Sequence, residues 1–256
     1  MSPLSPDVIG CARVVEQGDP DRFRTAMAAP VAVRAVLFPL YAFNVEVARA
    51  PWVTQEAMIA EMRLQWWRDA LEEIAEGRPV RKHEVTTPLA ALLTPAQAVR
   101  LDETVAARRW DIYREPFEDA AHLDAYLDQT AGHLMWTACA CLGAPSDAEA
   151  GVRELAYAAG CARYLRAVPS LAAAQRIPLL DGTHDGVRAL AQKAKARLTR
   201  PKLPRAARPA TWTAIGAGRV LDQVIADPAA VGEGRLAPAL SAFRLSRTAL
   251  TGRLAL

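Results

Sequence analysis

Two pairs of acidic side chains have a spacing that could hold a metal ion. Asp124 and Asp128 are four residues apart, and so are Asp69 and Glu73. Residues four apart share one face of a helix, so both carboxylates of a pair would point the same way. Carboxylate oxygens are ligands that Mg²⁺ prefers, and bound Mg²⁺ stabilises a departing phosphate or diphosphate. The second pair lies in a densely charged stretch typical of a solvated helix face, so neither pair alone predicts a metal site.

Histidine and cysteine do not extend these acidic pairs into a larger ligand set. The four histidines are dispersed along the chain and lack the spacing of metal ligands. Cys139 and Cys141 lie in an apolar helical run, where cysteine behaves as a small hydrophobic residue. We therefore expect both cysteines to pack in the core, which is typical of a protein from a reducing compartment.

The elements that must position these residues are predicted to be helices. Alanine and leucine are abundant, and the alternating pattern of strands is missing. The sequence therefore predicts an all-α fold. The predicted helices cover residues 5–17, 20–28, 30–50, 54–77, 94–114, 119–142, 146–168, 185–199, 206–226 and 237–252.

Several of these predicted boundaries rest on capping signals. Thr54 and Thr94 are predicted N-caps, and the second is followed by a proline that suits the first helical position. Ser146 and Glu149 have the spacing of a capping box. Pro169 is predicted to end its helix, because proline removes a backbone donor and clashes with the preceding turn.

Charge is unevenly distributed along the chain. Residues 1–150 contain 14 basic and 22 acidic residues, whereas residues 151–256 contain 17 basic and 6 acidic residues, a net charge of +11. We predict a basic surface that meets an anionic membrane or an acidic partner, with a solvated face as the open alternative. Nucleic acid is not expected, because few aromatic residues are interleaved with the charges. The predicted surface comprises Lys193, Lys195, Arg197 and Arg200, followed by a basic amphipathic tail at 237–256.

Location is predicted from what the sequence lacks. No stretch reaches the roughly 20 apolar residues of a membrane span, and the N-terminal region carries acidic residues unlike those of a signal or transit peptide. We expect a cytoplasmic protein with peripheral contact to the inner membrane. The preference for arginine over lysine is typical of a GC-rich genome and favours a bacterial source.

The order of several motifs resembles the squalene/phytoene synthase family. Residues 40–43 read Leu-Tyr-Ala-Phe, residues 64–68 read Leu-Gln-Trp-Trp-Arg, and Gly-Arg-Pro follows at 77–79. Stretches 126–132 and 160–180 are similar to that family's second conserved half. The resemblance spans roughly residues 20–225. It implies a single-domain, isoprenoid-synthase-like helical bundle with a central cavity over 1–256, including an N-terminal helix at 1–19.

The resemblance also implies a reaction and its metal ions. Enzymes of the family join two isoprenoid diphosphates after ionising an allylic diphosphate, with Mg²⁺ held by aspartate pairs on facing helices. In this chain the first aspartate motif falls on Ala48, Arg49 and Trp52, and the second falls on Ala167 and Leu171. All five aspartates implied by the resemblance are absent, so we predict no catalytic residues and no metal at these positions.

Other positions of the implied diphosphate site are partly kept. Arg163 stands where the resemblance implies asparagine, whereas Tyr41 and Arg166 are retained. The remaining pocket candidates carried over from the family are Gln65, Trp66 and Tyr126. We predict that the two degenerate motifs face each other across the cavity.

Residues 43–48 and 165–169 look like a branch of the family without the aspartates, the mitochondrial complex I assembly factors. The leading hypothesis is therefore a non-catalytic helper that holds a protein partner or an isoprenoid-like lipid. The alternative is a prenyltransferase in which Arg49, Arg163 and Arg166 act as fixed cations around diphosphate, with Mg²⁺ as a cofactor only in that case. A third hypothesis is a peripheral lipid-binding module.

Overall fold

The computed structural model describes residues 4–256 as an all-helical protein. Helices account for 72% of the chain and no strand occurs in the described range, so the predicted all-α fold is confirmed. The α-helices are α1 (Pro6–Gly18), α2 (Pro20–Met27), α3 (Val31–Arg49), α4 (Ala57–Ala75), α5 (Thr86–Leu92), α6 (Pro95–Tyr113), α7 (Ala120–Leu127), α8 (His133–Cys141), α9 (Glu149–Ala173), α10 (His184–Ala196), α11 (Ala217–Ala226), α12 (Ala229–Gly232) and α13 (Ala242–Thr251).

The described residues form two compact units, each assembled from separate stretches of the chain. The organisation of 1–256 as one domain with a central cavity stays a prediction. Residues 1–3 of the predicted N-terminal helix lie outside the described residues. The first unit contains residues 4–113, 136–146 and 203–210, and the second contains residues 114–135, 147–202 and 211–256.

Helix α3 supplies much of the core of the first unit. Leu37, Phe38, Leu40 and Phe43 are completely buried, which stabilises the helix although Pro39 removes one of its hydrogen bonds. Helices α1, α2 and α5 pack against α3, and α4 packs along α6. The first unit thus places the end of α3 and the tryptophan helix α4 on one hydrophobic core.

One helix meets the criteria for a membrane span by length and composition alone. The stretch Val31–Trp52 is the one such helix found in residues 4–256. The prediction that no stretch is apolar enough was therefore wrong on this criterion. However, 61% of its most apolar window is buried inside the protein, and a buried core helix passes the same test.

The second unit is built around the 25-residue helix α9. Helices α7, α10, α11 and α12 pack against it, as does a π-helical turn, Asp128–Gly132, that joins α7 to α8. At the turn, Gly160 of α9 passes so close to Ala131 that a Cβ on the glycine would lie 2.8 Å from the alanine Cβ. The absence of a side chain at Gly160 allows this close packing.

Two predicted helices are interrupted in the structure. The predicted helix at 119–142 contains the π-helical turn Asp128–Gly132, where Thr130 donates a hydrogen bond to the carbonyl of Tyr126 at 2.6 Å. The predicted helix at 206–226 is a 3₁₀ segment, Arg208–Ala214, followed by α11. The break occurs at Gly216, whose φ of 76° is left-handed and incompatible with a continuous α-helix.

Several predicted boundaries were also wrong. Helix α9 continues through Pro169 to Ala173. It ends where Gln175 adopts a left-handed conformation and the amide of Arg176 donates a hydrogen bond to the carbonyl of Leu171.

The Ser146 capping box is replaced by a 3₁₀ turn, and Thr54 precedes α4 without capping it. Helix α5 was not predicted, and the predicted C-terminal helix at 237–252 begins only at Ala242.

Two predicted helix boundaries are confirmed, and the structure shows the physical cause of each. Thr94 accepts a hydrogen bond from the amide of Gln97, and the Gln97 side chain accepts one from the amide of Thr94 at 2.9 Å. This reciprocal cap opens α6 at Pro95. Helix α4 ends before Gly77, whose φ of 67° is suited to the residue that follows a helix.

Candidate functional site

The first degenerate motif lies where α3 ends. Ala48 and Arg49 occupy its last turn, and Trp52 lies in the 3₁₀ turn that follows. The Arg49 side chain is 56% exposed and forms an ion pair with Glu46 at 3.5 Å. Trp52 is 42% exposed. These side chains present a cation and an indole to solvent, and none of the three predicted positions carries an oxygen ligand.

The second degenerate motif lies along one face of α9. Arg163, Ala167 and Leu171 are spaced by four residues and are all half-buried. Arg166, on a neighbouring face, is half-buried and makes no hydrogen bond or ion pair within residues 4–256. The helical spacing expected for the second motif is therefore present, with an arginine and two apolar side chains in place of ligands. The expectation that this face meets the first motif across a cavity stays a prediction.

The carboxylates nearest in sequence to the second motif are already held by cations. Asp124 accepts hydrogen bonds from Lys193 at 2.5 Å and from the Tyr157 hydroxyl at 2.6 Å. Asp128 accepts two from Arg153, one of them at 3.0 Å. A carboxylate that is neutralised by a fixed cation is a poor ligand for Mg²⁺, which competes for the same oxygens.

The pair Asp69 and Glu73 is occupied in the same way. Arg81 forms a bidentate contact with Glu73, with nitrogen–oxygen distances of 2.6 and 3.1 Å, and lies 3.7 Å from Asp69. Hydrogen bonds from Arg81 lower the pKa of Glu73 to about 2. No group of three or more histidine, cysteine or acidic side chains could hold a metal ion anywhere in the described range. The residues present do not fit the Mg²⁺ site that the resemblance implies.

The tryptophan motif forms an aromatic cluster in the first unit. The Trp66 ring contacts Trp67 and His83 edge to face, with centroids 5.0 and 5.2 Å apart, and the Arg81 guanidinium lies 5.3 Å from the Trp66 centroid. Such contacts stabilise the packing of α4 against the following loop. Gln65 points to solvent and donates a hydrogen bond to Asp69. These contacts give Trp66 and Trp67 a role in packing.

The two retained tyrosines are buried in their own units. In the first unit, Tyr41 is 2% exposed and lies beneath Arg22, whose guanidinium is 5.6 Å from the ring centroid. In the second unit, Tyr126 is buried against Phe117 and Tyr164, with ring centroids 5.4 and 6.4 Å away. Whether either hydroxyl serves a ligand pocket stays a prediction.

Three of the four residues of the predicted basic surface are neutralised by neighbours. Lys193 pairs with Asp124, and Lys195 pairs with Asp222. Arg197 lies 3.7 Å from Glu154 and stacks over the Tyr157 ring at 3.9 Å. Only Arg200 is exposed without an ion pair or hydrogen bond within the described residues.

A network that sequence reasoning missed centres on Asp124. Its partners Tyr157 and Lys193 lie 33 and 69 residues away, on α9 and α10. Burial raises the pKa of Asp124, but the hydrogen bonds from Lys193 and Tyr157 outweigh burial and hold it below its usual value. Tyr157 has a raised pKa because it is buried and donates to this carboxylate. No local spacing signals such a network, because every partner lies on another helix.

Comparison with known proteins defines the class. Residues 15–180 match the sequence pattern of squalene/phytoene synthase. The chain therefore belongs to the squalene/phytoene synthase family.

Two curated relatives of the chain are complex I assembly factors. An assembly factor 6 homolog of NADH dehydrogenase (ubiquinone) complex I from Drosophila melanogaster is 30% identical over 177 residues, covering 66% of this chain and 53% of that protein. Complex I assembly factor 6 from Bos taurus is 22% identical over 180 residues, covering 65% and 51%. The chain thus spans about half the length of the curated relatives it matches.

Two solved structures share the fold. A dehydrosqualene synthase bound to a ligand superposes with a TM-score of 0.68 at 15% identity, covering 95% of this chain and 94% of that one. A squalene synthase from Alicyclobacillus acidocaldarius gives a TM-score of 0.64 at 17% identity, with coverages of 90% and 95%. The isoprenoid-synthase-like fold predicted from the motifs is confirmed.

Proposed function

We propose that the chain is a non-catalytic member of its family that binds a protein partner or an isoprenoid-like lipid. The proposal rests on the side chains at the five positions where metal ligands are expected. Alanine, arginine, tryptophan and leucine side chains stand at the positions where the family resemblance implies aspartates. Ionisation of an allylic diphosphate requires its charge to be neutralised as the bond breaks, and these side chains cannot hold Mg²⁺ for that purpose. The positions are Ala48, Arg49, Trp52, Ala167 and Leu171.

The remaining acidic pairs do not offer a relocated metal site. Asp124 is held by Lys193 and Tyr157, and Arg81 holds Glu73. Releasing either carboxylate for a metal would leave its basic partner without its hydrogen bonds. These contacts support a structural role for the acidic pairs.

The second candidate function is a prenyltransferase that replaces Mg²⁺ by arginines. One observation favours it, which is that Arg166 is half-buried without a hydrogen bond or ion pair in residues 4–256. Arginine binds diphosphate oxygens in a bidentate manner. Against it, Arg49 is largely exposed and already pairs with Glu46. A cation in that state contributes little to a leaving group, because water screens its charge.

We infer the kind of partner from the curated relatives. Their names assign them to the assembly of NADH dehydrogenase (ubiquinone) complex I. We extend this role to the chain, and with it a cytoplasmic location in a bacterium with peripheral contact to the inner membrane. The matched region covers only about half of each relative, so the role rests on the part of their sequence that the chain shares.

Removal of the gene from its own organism tests this function. We expect less assembled complex I on native gels and lower NADH:ubiquinone oxidoreductase activity in isolated membranes, with both restored by the wild-type gene. The squalene and carotenoid content of the same cells is the control, and it should not change. Normal complex I together with altered isoprenoid content would contradict the assembly role and favour the prenyltransferase.

A further inference from the structure

The outward face of the C-terminal helix α13 combines exposed apolar side chains with unpaired arginines. Phe243 is 75% exposed and Leu250 is 87% exposed. Among the other large hydrophobic residues in 4–256, only Met58 is as exposed as Phe243. They are seven residues apart, with Arg247 between them at i+4, so all three share one face of the helix. Two large apolar side chains exposed on one face of a helix, together with basic residues, suit an interaction surface.

The opposite face fixes the helix to the second unit. Leu245 and Thr248 are buried, and the Thr248 hydroxyl accepts a hydrogen bond from the amide of Ala255. The carbonyl of Ala255 in turn accepts one from Gly216 at 2.9 Å. Because the inner face is held in this way, Phe243 and Leu250 cannot turn inward without breaking these contacts.

The arginines around this face have no side-chain partners among residues 4–256. Arg244, Arg247 and Arg253 make no side-chain hydrogen bond or ion pair within the described chain, in contrast to Lys193 and Lys195. Residues 236–256 contain no acidic residue at all. The local positive charge is therefore available to an external anion.

We infer that the outward face of α13 docks on an anionic lipid membrane, with Phe243 and Leu250 entering the interface and the arginines meeting lipid headgroups. This combination of an apolar stripe and flanking basic residues is the chemistry of interfacial helices. The inference is independent of whether the chain catalyses a reaction.

Other occupants fit the face less well. A second copy of the chain would bring arginines against arginines across a two-fold interface, which is repulsive. An aromatic side chain such as Phe243 buries about 150–250 Å², so Phe243 and Leu250 together fall well short of the roughly 800 Å² that each partner buries in a stable protein complex. A membrane surface needs no such complementary area, because its headgroups and acyl chains rearrange around the inserted groups.

Vesicle co-sedimentation of the full chain tests the inference. We expect binding to mixed phosphatidylcholine–phosphatidylserine vesicles at low salt, weaker binding at high salt, and little binding to phosphatidylcholine alone. Changing Arg244, Arg247 and Arg253 together to glutamine should weaken binding by on the order of 100-fold, at about fivefold per arginine. The double variant Phe243→Ala, Leu250→Ala should also lose binding.

Matched controls distinguish this helix from the general positive charge of the chain. Arg13, Arg63 and Lys82 are likewise exposed and unpaired in the described residues, and changing these three to glutamine removes the same charge outside the predicted basic surface. Met58→Ala with Met62→Ala removes two other exposed apolar groups. Both controls should bind vesicles like the wild type. Equal losses in control and α13 variants, or binding indifferent to lipid charge, would overturn the inference.

Discussion

At the scale of single residues, the carboxylates of this chain hold its helices together. Asp124 joins α7 to α9 and α10 through Tyr157 and Lys193, and Asp128 is held by Arg153 of α9. Three of the four cysteines, Cys11, Cys139 and Cys161, are core residues, whereas Cys141 is only half-buried and was predicted to pack in the core. Burial raises the pKa of the Cys139 thiol and of the Cys161 thiol to about 12, so both remain protonated and unreactive at neutral pH. Titratable groups therefore contribute here to stability.

We expect Asp124→Asn to lower the free energy of unfolding by about 1–3 kcal/mol at neutral pH, because the charged hydrogen bonds to Lys193 and Tyr157 are lost. The folded-state pKa of Asp124 is lowered, so its stabilising contribution is fully present above the ordinary carboxyl pKa of about 4. The difference between wild type and variant should shrink as pH falls below that value. Urea unfolding at several pH values measures it.

The matched control for this change is Asp222→Asn. Asp222 also pairs with a lysine, Lys195, but its side chain is 57% exposed. An exposed pair contributes about 0–1 kcal/mol, so this variant should unfold close to the wild type. Equal effects of the two changes would mean that the Asp124 network is no stronger than a surface ion pair.

At the scale of helices, chain geometry at a few positions determines where each element ends. Gly216 separates the 3₁₀ segment from α11, and the carbonyl of Ala239 lies where its side chain would be. Gly77 ends α4 with a similar positive φ, but nothing lies within 4 Å of its missing side chain. The first glycine is required by both conformation and space, and the second by conformation alone.

We predict that Gly216→Ala lowers the free energy of unfolding by more than about 3 kcal/mol, because a left-handed alanine costs about 1–2 kcal/mol and its Cβ would clash with backbone. The Cβ would lie 2.0 Å from the carbonyl oxygen of Ala239. Gly232→Ala is the control, since nothing lies within 4 Å of that position, and it should unfold within about 1 kcal/mol of wild type. Similar denaturation midpoints for both variants would contradict the assigned backbone at Gly216.

Most of the helices were predictable from sequence, but α5, α12 and several helix ends were not. The Thr94 cap and the Gly77 terminus are local signals, and both were found where predicted. The continuation of α9 beyond Pro169 was missed because Leu165 and Val168 are buried on the same helix and stabilise it despite the proline. The π-helical turn in 128–132 is likewise set by packing against α9, which no local pattern reveals.

At the scale of the whole molecule, the fold was predictable but the site only in part. The order of the tryptophan and tyrosine motifs predicted a fold that solved structures share at TM-scores of 0.64–0.68 despite 15–17% identity. The pairing within the basic surface was not predictable from sequence, because neutralising partners such as Asp124 and Glu154 lie far away along the chain. Charge composition locates an excess of cations, whereas only the folded chain shows which of them are paired.

We propose that the chain does not ionise prenyl diphosphates. The most direct measurement is the release of inorganic diphosphate from farnesyl or geranylgeranyl diphosphate by the purified full chain, with Mg²⁺ or Mn²⁺, beside an active squalene synthase as positive control. We predict no release above the protein-free background and no squalene or phytoene among the products. Release of diphosphate by the wild-type chain, with or without added metal, would contradict this proposal, and its loss in an Arg166→Ala variant would favour the prenyltransferase.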